Sequence, residues 1–156
     1  MKTQRVGIVG TGWGKLQIES LRRVRGAQVT ALCDTDGARL EQTARQYNIG
    51  KTFNDYNDML TGDQVDWVCI ASPPEQHQAM TAAAIEAGRH ILCEKPIALI
   101  TKDARALLAA AEARGINHAV DFEMRYLPAH AYAKELIDED YLGQLHRVDV
   151  TMTMER

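Results

Sequence analysis

The residues of this chain that are best suited to chemistry come directly after short apolar runs. Three glycines, Gly10, Gly12 and Gly14, follow the first run, with Trp13 among them. A glycine turn between a strand and a helix binds a dinucleotide pyrophosphate, because glycine allows close backbone approach and the helix N-terminus supplies N–H donors. Lys15 replaces the usual third glycine, so we expect looser helix–strand packing there. A turn with a purely structural role is the alternative interpretation.

An aspartate ends the second apolar run. Asp34 follows Gly10 by 24 residues, where a carboxylate can accept hydrogen bonds from both ribose hydroxyls of an adenosine. The same carboxylate would repel a 2′-phosphate, and no Arg or Lys follows until Arg39, so NAD is favoured over NADP. Asp34 is equally consistent with a turn or helix-capping aspartate before Asp36.

Two further polar segments follow the fourth and fifth apolar runs. They contain Ser72, Pro73, Pro74 and His77 in the first segment, and Glu94 and Lys95 in the second. Ligands of open parallel sheets bind at the carboxyl ends of the strands, so both segments are expected to line a crevice. The glycine turn with an acidic residue after the second run also suits S-adenosylmethionine-dependent methyltransferases. These two segments decide against that class.

Lys95 and His77 are the side chains in these segments with the clearest chemical use. An ammonium group at a reacting carbonyl stabilises the developing alkoxide and can relay its proton, which makes Lys95 a catalytic candidate. An exposed lysine before a turn is the alternative. For His77, direct contact with a cofactor and packing at the start of a helix are equally consistent with the sequence.

The elements that must position these residues alternate regularly along the chain. Strands are predicted over 5–10, 27–33, 51–53, 67–71, 90–93 and 117–121, and helices over 13–25, 36–47, 55–60, 75–87, 101–114 and 128–138. Strands that alternate with helices predict βαβ units, and therefore an α/β, Rossmann-like, doubly wound parallel sheet.

The last segment departs from that pattern. From Leu145 to Met154 apolar and polar residues alternate, which predicts a half-buried strand of an antiparallel or mixed sheet. We interpret it as the first strand of a second domain, so that residues 1–142 form the dinucleotide-binding domain and residues 143–156 a stub. An unpaired strand invites self-pairing, and a homodimer through residues 145–154 is therefore expected as one possibility.

Composition excludes several classes of protein. The 18 Lys and Arg against 21 Asp and Glu give a net charge of −3, which argues against a nucleic-acid partner. No apolar run approaches the roughly 20 residues that a membrane span needs, and no signal peptide is evident, so we expect a cytoplasmic protein with no membrane partner.

The cysteines Cys33, Cys69 and Cys93 lie in apolar runs and are interpreted as buried hydrophobes. The remaining histidines show no metal-site spacing, so no metal is expected.

Several of these motifs together resemble the glucose–fructose oxidoreductase, inositol dehydrogenase and MocA-like (Gfo/Idh/MocA) oxidoreductases, over essentially the whole chain. The resemblance rests on Val6 to Gly14, Cys33-Asp34, Ala71-Ser72-Pro73-Pro74 with His77, Ala87 to Pro96, Arg125, Pro128 and Leu142 to Leu145. Glu94-Lys95-Pro96 with its preceding strand is the specific part.

The resemblance implies a role for each matching residue. Gly10, Gly12, Trp13 and Gly14 would line the pyrophosphate, Asp34 the adenosine ribose, and Ser72, Pro73, Pro74 and His77 the nicotinamide half of NAD. Glu94 and Lys95 would lie at the nicotinamide, with Lys95 reaching the substrate oxygen, and Asp121 and Arg125 are further cofactor-binding candidates.

The family also implies a reaction. Its members pair an NAD(P)-binding Rossmann domain with a C-terminal α/β domain that holds the substrate pocket and an Asp/His pair. They mostly oxidise or reduce a hydroxyl or carbonyl of a sugar, cyclitol or related small molecule. We expect this chain to represent mainly the cofactor domain of such an NAD-dependent oxidoreductase, truncated before its substrate domain. A small-molecule substrate is expected if a second domain is present. A non-catalytic dinucleotide-binding or sensing protein is the alternative.

Overall fold

A computed structural model describes residues 2–153, and its main feature is a six-stranded sheet in which every pair of neighbours is parallel. The strands are β1 (Gln4–Val9), β2 (Ala27–Cys33), β3 (Lys51–Phe53), β4 (Trp67–Ile70), β5 (His90–Glu94) and β6 (His118–Asp121). The helices are α1 (Gly14–Leu21), α2 (Gly37–Tyr47), α3 (Tyr56–Leu60), α4 (Pro74–Glu86), α5 (Thr101–Ala113) and α6 (Pro128–Asp138), and a 3₁₀ helix spans Glu123–Tyr126.

The order of the strands creates a crevice. They lie in the order β3-β2-β1-β4-β5-β6, so the chain builds outward from β1 to β3 and then crosses back to β4 on the other side of β1. Ligands of such sheets bind outside the carboxyl ends of the strands, at the point where the order reverses. Here that point lies between the ends of β1 and β4.

Helices cover both faces of the sheet, as a doubly wound fold requires. One core joins the strands to α3, α4 and α5, and a second joins them to α1 and α2. Ile70 belongs to the first core and its neighbour Cys69 to the second, because successive strand side chains point to opposite faces. The α/β, doubly wound parallel sheet predicted from the sequence is confirmed.

Most predicted elements agree with the structure to within one residue at each end, and α1 is the exception. It ends at Leu21 rather than residue 25, because the chain then tightens into turns. Arg23 N donates to Ser20 O and Val24 N to Leu21 O, and Gly26 adopts a positive φ of 87°. This φ is one that glycine adopts readily and other residues rarely do.

The chain divides into two compact units, residues 1–121 and residues 122–156. The first contains the whole sheet with α1 to α5. The second contains the 3₁₀ helix and α6, and none of its described side chains is buried. The boundary predicted at residues 142 and 143 for the functional domains stays a prediction.

The strand predicted over Leu145–Met154 is absent from the described part of that segment. Residues 145–153 are irregular and exposed, and Met154 lies outside the described residues. A strand needs a neighbour to pair its N–H and C=O groups, and within residues 2–153 no strand pairs with this segment. The alternating pattern is therefore present without the partner that would make it a strand.

Two further expectations concern the buried and apolar residues. All three cysteines are free and buried, and burial raises the pKa of Cys33 and Cys69 to about 12 and that of Cys93 to about 11. Their interpretation as small buried hydrophobes is confirmed. Among the helices described, none is long and apolar enough to cross a bilayer.

Candidate dinucleotide-binding site

The glycine turn after β1 lies at the crevice between β1 and β4, and two of its glycines are sterically required. Gly10 has a φ of 85°, and a Cβ there would come within 2.5 Å of Ala71 O. A Cβ on Gly14 would come within 2.6 Å of Ile8 Cγ2, so Gly14 brings α1 close to β1. Lys15 was expected to loosen this packing, but Gly14 supplies the close approach in its place.

Gly12 has a different role in the same turn. A Cβ on Gly12 would meet nothing within 4 Å, so the missing side chain opens space outside the fold rather than relieving crowding within it. The turn therefore presents bare backbone at the start of α1. This is the arrangement in which backbone N–H groups and a helix N-terminus receive a phosphate.

Asp34, at the end of β2, is bound from three sides. Thr11 donates to Asp34 Oδ2 from its backbone N at 2.7 Å and from Oγ1 at 2.6 Å. Asp36 N donates to Oδ1 at 2.9 Å, and Arg39 donates to both oxygens, from Nη2 at 2.7 Å and from Nε at 3.0 Å. Asp34 thus has the turn role considered from the sequence, since it ties β2 both to the glycine turn and to the start of α2. Its role as a ribose ligand stays a prediction.

The ionisation of Asp34 follows from these bonds. Burial opposes the charged form, but the hydrogen bonds from Arg39, Thr11 and Asp36 outweigh it and hold the pKa of the carboxyl well below its usual range. A carboxylate offers about four acceptor positions, and the protein already supplies five donors. A ribose hydroxyl can therefore reach Asp34 only where one of these donors withdraws.

A cleft of about 410 Å³ opens in front of the glycine turn and Asp34. The residues that line it are Val9, Gly10, Gly12, Trp13, Cys33, Asp34, Thr35, Arg39, Asn54, Tyr56, Ala71, Ser72, Pro73, Gln76 and Met80. Six of the residues predicted from the sequence to bind a cofactor lie in this wall: Gly10, Gly12, Trp13, Asp34, Ser72 and Pro73. Pro74 starts α4 directly behind Pro73.

A second group of polar side chains lies at the ends of β5 and β6 and meets the cleft at Trp13. Trp13 Nε1 donates to Glu94 Oε1 at 3.0 Å, and Gln17 Nε2 donates to the same oxygen at 3.2 Å and to Asp121 Oδ2 at 3.4 Å. Lys95 Nζ lies 3.8 Å from Glu94 Oε2. The predicted residues Trp13, Glu94, Lys95 and Asp121 are therefore one cluster, with a half-exposed ammonium group at its edge.

His77 lies beneath these segments rather than in the cleft wall. Its ring is 1% exposed, and both nitrogens meet backbone carbonyls: Nδ1 lies 2.7 Å from Pro96 O and Nε2 2.7 Å from Ser72 O. Of the two roles considered from the sequence, this geometry favours packing at the start of a helix over direct contact with a cofactor.

Arg125 is the predicted site residue that belongs to the second unit, whereas the cleft residues belong to the first. It lies in the 3₁₀ helix of the second unit. Its role as a cofactor ligand stays a prediction.

Three residues of the site were missed by sequence reasoning. Thr11, Gln17 and Arg39 hold the carboxylates of Asp34, Glu94 and Asp121. A usable signal existed for two of them: Thr11 lies between two turn glycines, and the capping Asp36 places Arg39 in the first turn of α2, facing back to Asp34. Gln17 carried no such signal. Its Oε1 is buried and has no partner within residues 2–153.

The open glycine turn of the site suits an organic dinucleotide. Within residues 2–153 no group of three or more His, Cys, Asp or Glu side chains is arranged to hold a metal. Gly12 leaves open space beside the backbone, and Asp34 lines the same cleft. The sheet order and this crevice define a dinucleotide-binding domain of the Rossmann type.

Comparison with known proteins identifies the family to which this domain belongs. Residues 4–122 match the model of the Gfo/Idh/MocA oxidoreductase family, described as an NAD-binding Rossmann fold, and the chain belongs to that family. It is 34% identical over 123 residues to D-apiose dehydrogenase of Paraburkholderia graminis, covering 78% of this chain and 33% of that protein. It is 32% identical over 148 residues to inositol 2-dehydrogenase of Salmonella paratyphi B, covering 91% and 44%.

A solved structure agrees with these matches. Scyllo-inositol dehydrogenase from Lactobacillus casei, crystallised with NAD(H) and scyllo-inositol, superposes with a TM-score of 0.85 at 28% identity, covering 91% of this chain and 43% of that one. The chain therefore spans between a third and somewhat under half of the length of these relatives.

Proposed function

We propose that this chain is the cofactor-binding part of an NAD-dependent dehydrogenase acting on a hydroxyl or carbonyl of a sugar, cyclitol or related small molecule. The main support for the proposal is the position of Trp13. This residue lines the cleft and also donates a hydrogen bond to Glu94, which lies next to Lys95. A dinucleotide site and a candidate proton carrier thus adjoin each other. The sugar and cyclitol dehydrogenases among the relatives support the substrate class.

The chemistry divides between cofactor and protein. NAD supplies a hydride acceptor when it is bound. The protein would hold the pyrophosphate on the glycine turn and the adenosine ribose at Asp34. Lys95 would bind the substrate oxygen. In oxidation its neutral amine would take the hydroxyl proton as hydride leaves carbon. In reduction its ammonium form would stabilise the alkoxide that develops as hydride reaches the carbonyl carbon, and would return the proton to that oxygen. Glu94, held in place by Trp13 and Gln17, places its Oε2 3.8 Å from Lys95 Nζ.

Asp34 would favour NAD over NADP, and Arg39 is the donor that can make room for the ribose. The Arg39 side chain is 43% exposed, whereas the Thr11 and Asp36 donors belong to the turns themselves. When Arg39 turns outward, the three donors from Thr11 and Asp36 remain, and one acceptor position on Asp34 Oδ1 becomes available to a ribose hydroxyl. A 2′-phosphate would instead meet the carboxylate.

We expect NAD(H) to bind more tightly than NADP(H), and Asp34→Ala to weaken NAD binding by about 1–3 kcal/mol, because charge-assisted hydrogen bonds are lost. Calorimetric titration measures both values. Asp58→Ala, which removes an exposed carboxylate from α3, is the matched control and should bind as the wild type does. Equal or tighter binding of NADP(H) by the wild type would remove Asp34 from this role.

Lys95 is tested by separating turnover from binding. In the active dehydrogenase, Lys95→Met should lower the rate of NADH formation by about 10²–10⁴-fold, the usual contribution of a positioned acid or base, which is a larger effect than on NADH affinity. Lys102→Met, on the exposed side of α5, is the control. A Lys95 variant with undiminished turnover would contradict the catalytic role.

A further inference from the structure

We propose that His77 is a positioning residue: its buried imidazole ties the loop after β4 to the turn after β5 and so sets the place of Lys95 relative to the nicotinamide half of the cofactor. The inference rests on the proposed function, since it concerns the same cleft. It gives the ring a role that neither cofactor contact nor simple packing describes.

Both ring nitrogens of His77 contact backbone carbonyl oxygens. His77 lies in the first turn of α4 and is almost fully buried, yet its two nitrogens meet carbonyl oxygens of residues 24 positions apart in the chain. Pro96 O lies 2.7 Å from Nδ1 and Ser72 O lies 2.7 Å from Nε2. Carbonyl oxygens only accept, so a neutral ring satisfies one of them and a doubly protonated ring both. Histidine presents two nitrogens on well-separated edges of one ring, which is what a bridge between two segments requires.

Lys95 lies between two residues that the structure anchors. On its N-terminal side Lys95 adjoins Glu94, which pairs with Asp121 in the β5–β6 ladder. On its C-terminal side it adjoins Pro96, whose carbonyl contacts His77. Lys95 is therefore a single residue between two anchored neighbours, and the imidazole is one of the two anchors.

The other contact of the His77 ring is with the loop after β4. Ser72 belongs to the wall of the cleft, and its carbonyl contacts His77 while its Oγ lies 3.3 Å from Met80 Sδ. One side chain thus holds both the cleft wall after β4 and the segment that carries Lys95. Its loss should let these two segments move apart while Asp34 keeps its bonds to Thr11, Asp36 and Arg39.

The experiment compares two ligands on the full 156-residue chain. ADP-ribose carries the adenosine and pyrophosphate of NADH but lacks the nicotinamide. We expect His77→Ala to weaken NADH binding by about tenfold or more, on the order of one or two lost hydrogen bonds, and to change ADP-ribose binding less than about threefold. His77→Asn keeps one N–H donor group and should recover part of the loss. His118→Ala, an exposed histidine of β6, is the control and should change neither affinity.

The outcomes separate the two proposals. An equal loss of both ligands, or no loss of either, would overturn the positioning role, as would wild-type NADH binding no tighter than ADP-ribose. Wild-type chain that binds neither ligand would overturn the proposed function and this inference with it. Should His77→Ala fail to fold, as thermal unfolding would report, the ratio of the two affinities in His77→Asn decides in the same way.

Discussion

Asp34 illustrates how one side chain serves both the fold and the site. It accepts from Thr11 in the glycine turn, from Asp36 at the start of α2 and from Arg39 within that helix. These bonds depend on the charged form, and they hold the pKa of Asp34 below the ordinary aspartate value of about 4. The stabilisation is therefore fully present above that ordinary value and is lost as the pH falls through it towards the lower pKa of the folded state.

This linkage predicts an effect of acid on stability. Between about pH 5 and pH 3 the urea concentration at the unfolding midpoint of the wild type should fall steeply as the pH falls. Asp34→Asn should make this dependence on pH less steep, because an amide side chain does not ionise. The slope should not vanish, since Arg5 also lowers the pKa of Asp66. Asp58→Asn serves as the exposed control. A variant at Asp34 with an unchanged slope would contradict the assignment of these hydrogen bonds.

At the scale of elements, the glycine turn was predictable in its place and not in its details. The sequence located the turn after β1 from Gly10 and Gly12, because both the apolar run and the helical spacing bracket it. The missing third glycine was interpreted as looser packing. In the structure Gly14, the first residue of α1, lies against Ile8 and supplies the close approach one position before Lys15.

The partners of the site carboxylates were harder to predict than the carboxylates themselves. Glu94 and Asp121 end neighbouring strands, so their proximity follows from the sheet order. The donor between them, Gln17, comes from α1, and its direction depends on how far the helix turns from Gly14. That rotation is set by packing against β1, which local sequence does not encode.

For the C-terminal segment, the sequence predicted an element that residues 145–153 do not form. Alternation from Leu145 predicted a strand, but alternation fixes only which side chains share a face. Pairing needs a second strand, and none pairs with residues 145–153 in the part of the chain that the structure describes. Self-pairing into a homodimer through this segment stays a prediction.

At the scale of the whole molecule, the sheet order determines where a dinucleotide would lie. The carboxyl ends of β1, β2 and β4 surround one cleft, and the ends of β5 and β6 continue the same edge through Trp13 and Glu94. The opposite edge carries the turns that precede the strands, among them Gly26 and Gly88. We expect NAD to bind at the first edge and not at the second.

A ¹H–¹⁵N NMR titration of the chain with NAD⁺ tests this claim most directly. The predicted result is saturable shifts of the amide signals of Thr11, Gly12, Ser72 and Lys95, with Gly26 and Gly88 unchanged. Shifts confined to Gly26 and Gly88, or no shifts at millimolar NAD⁺, would contradict the account.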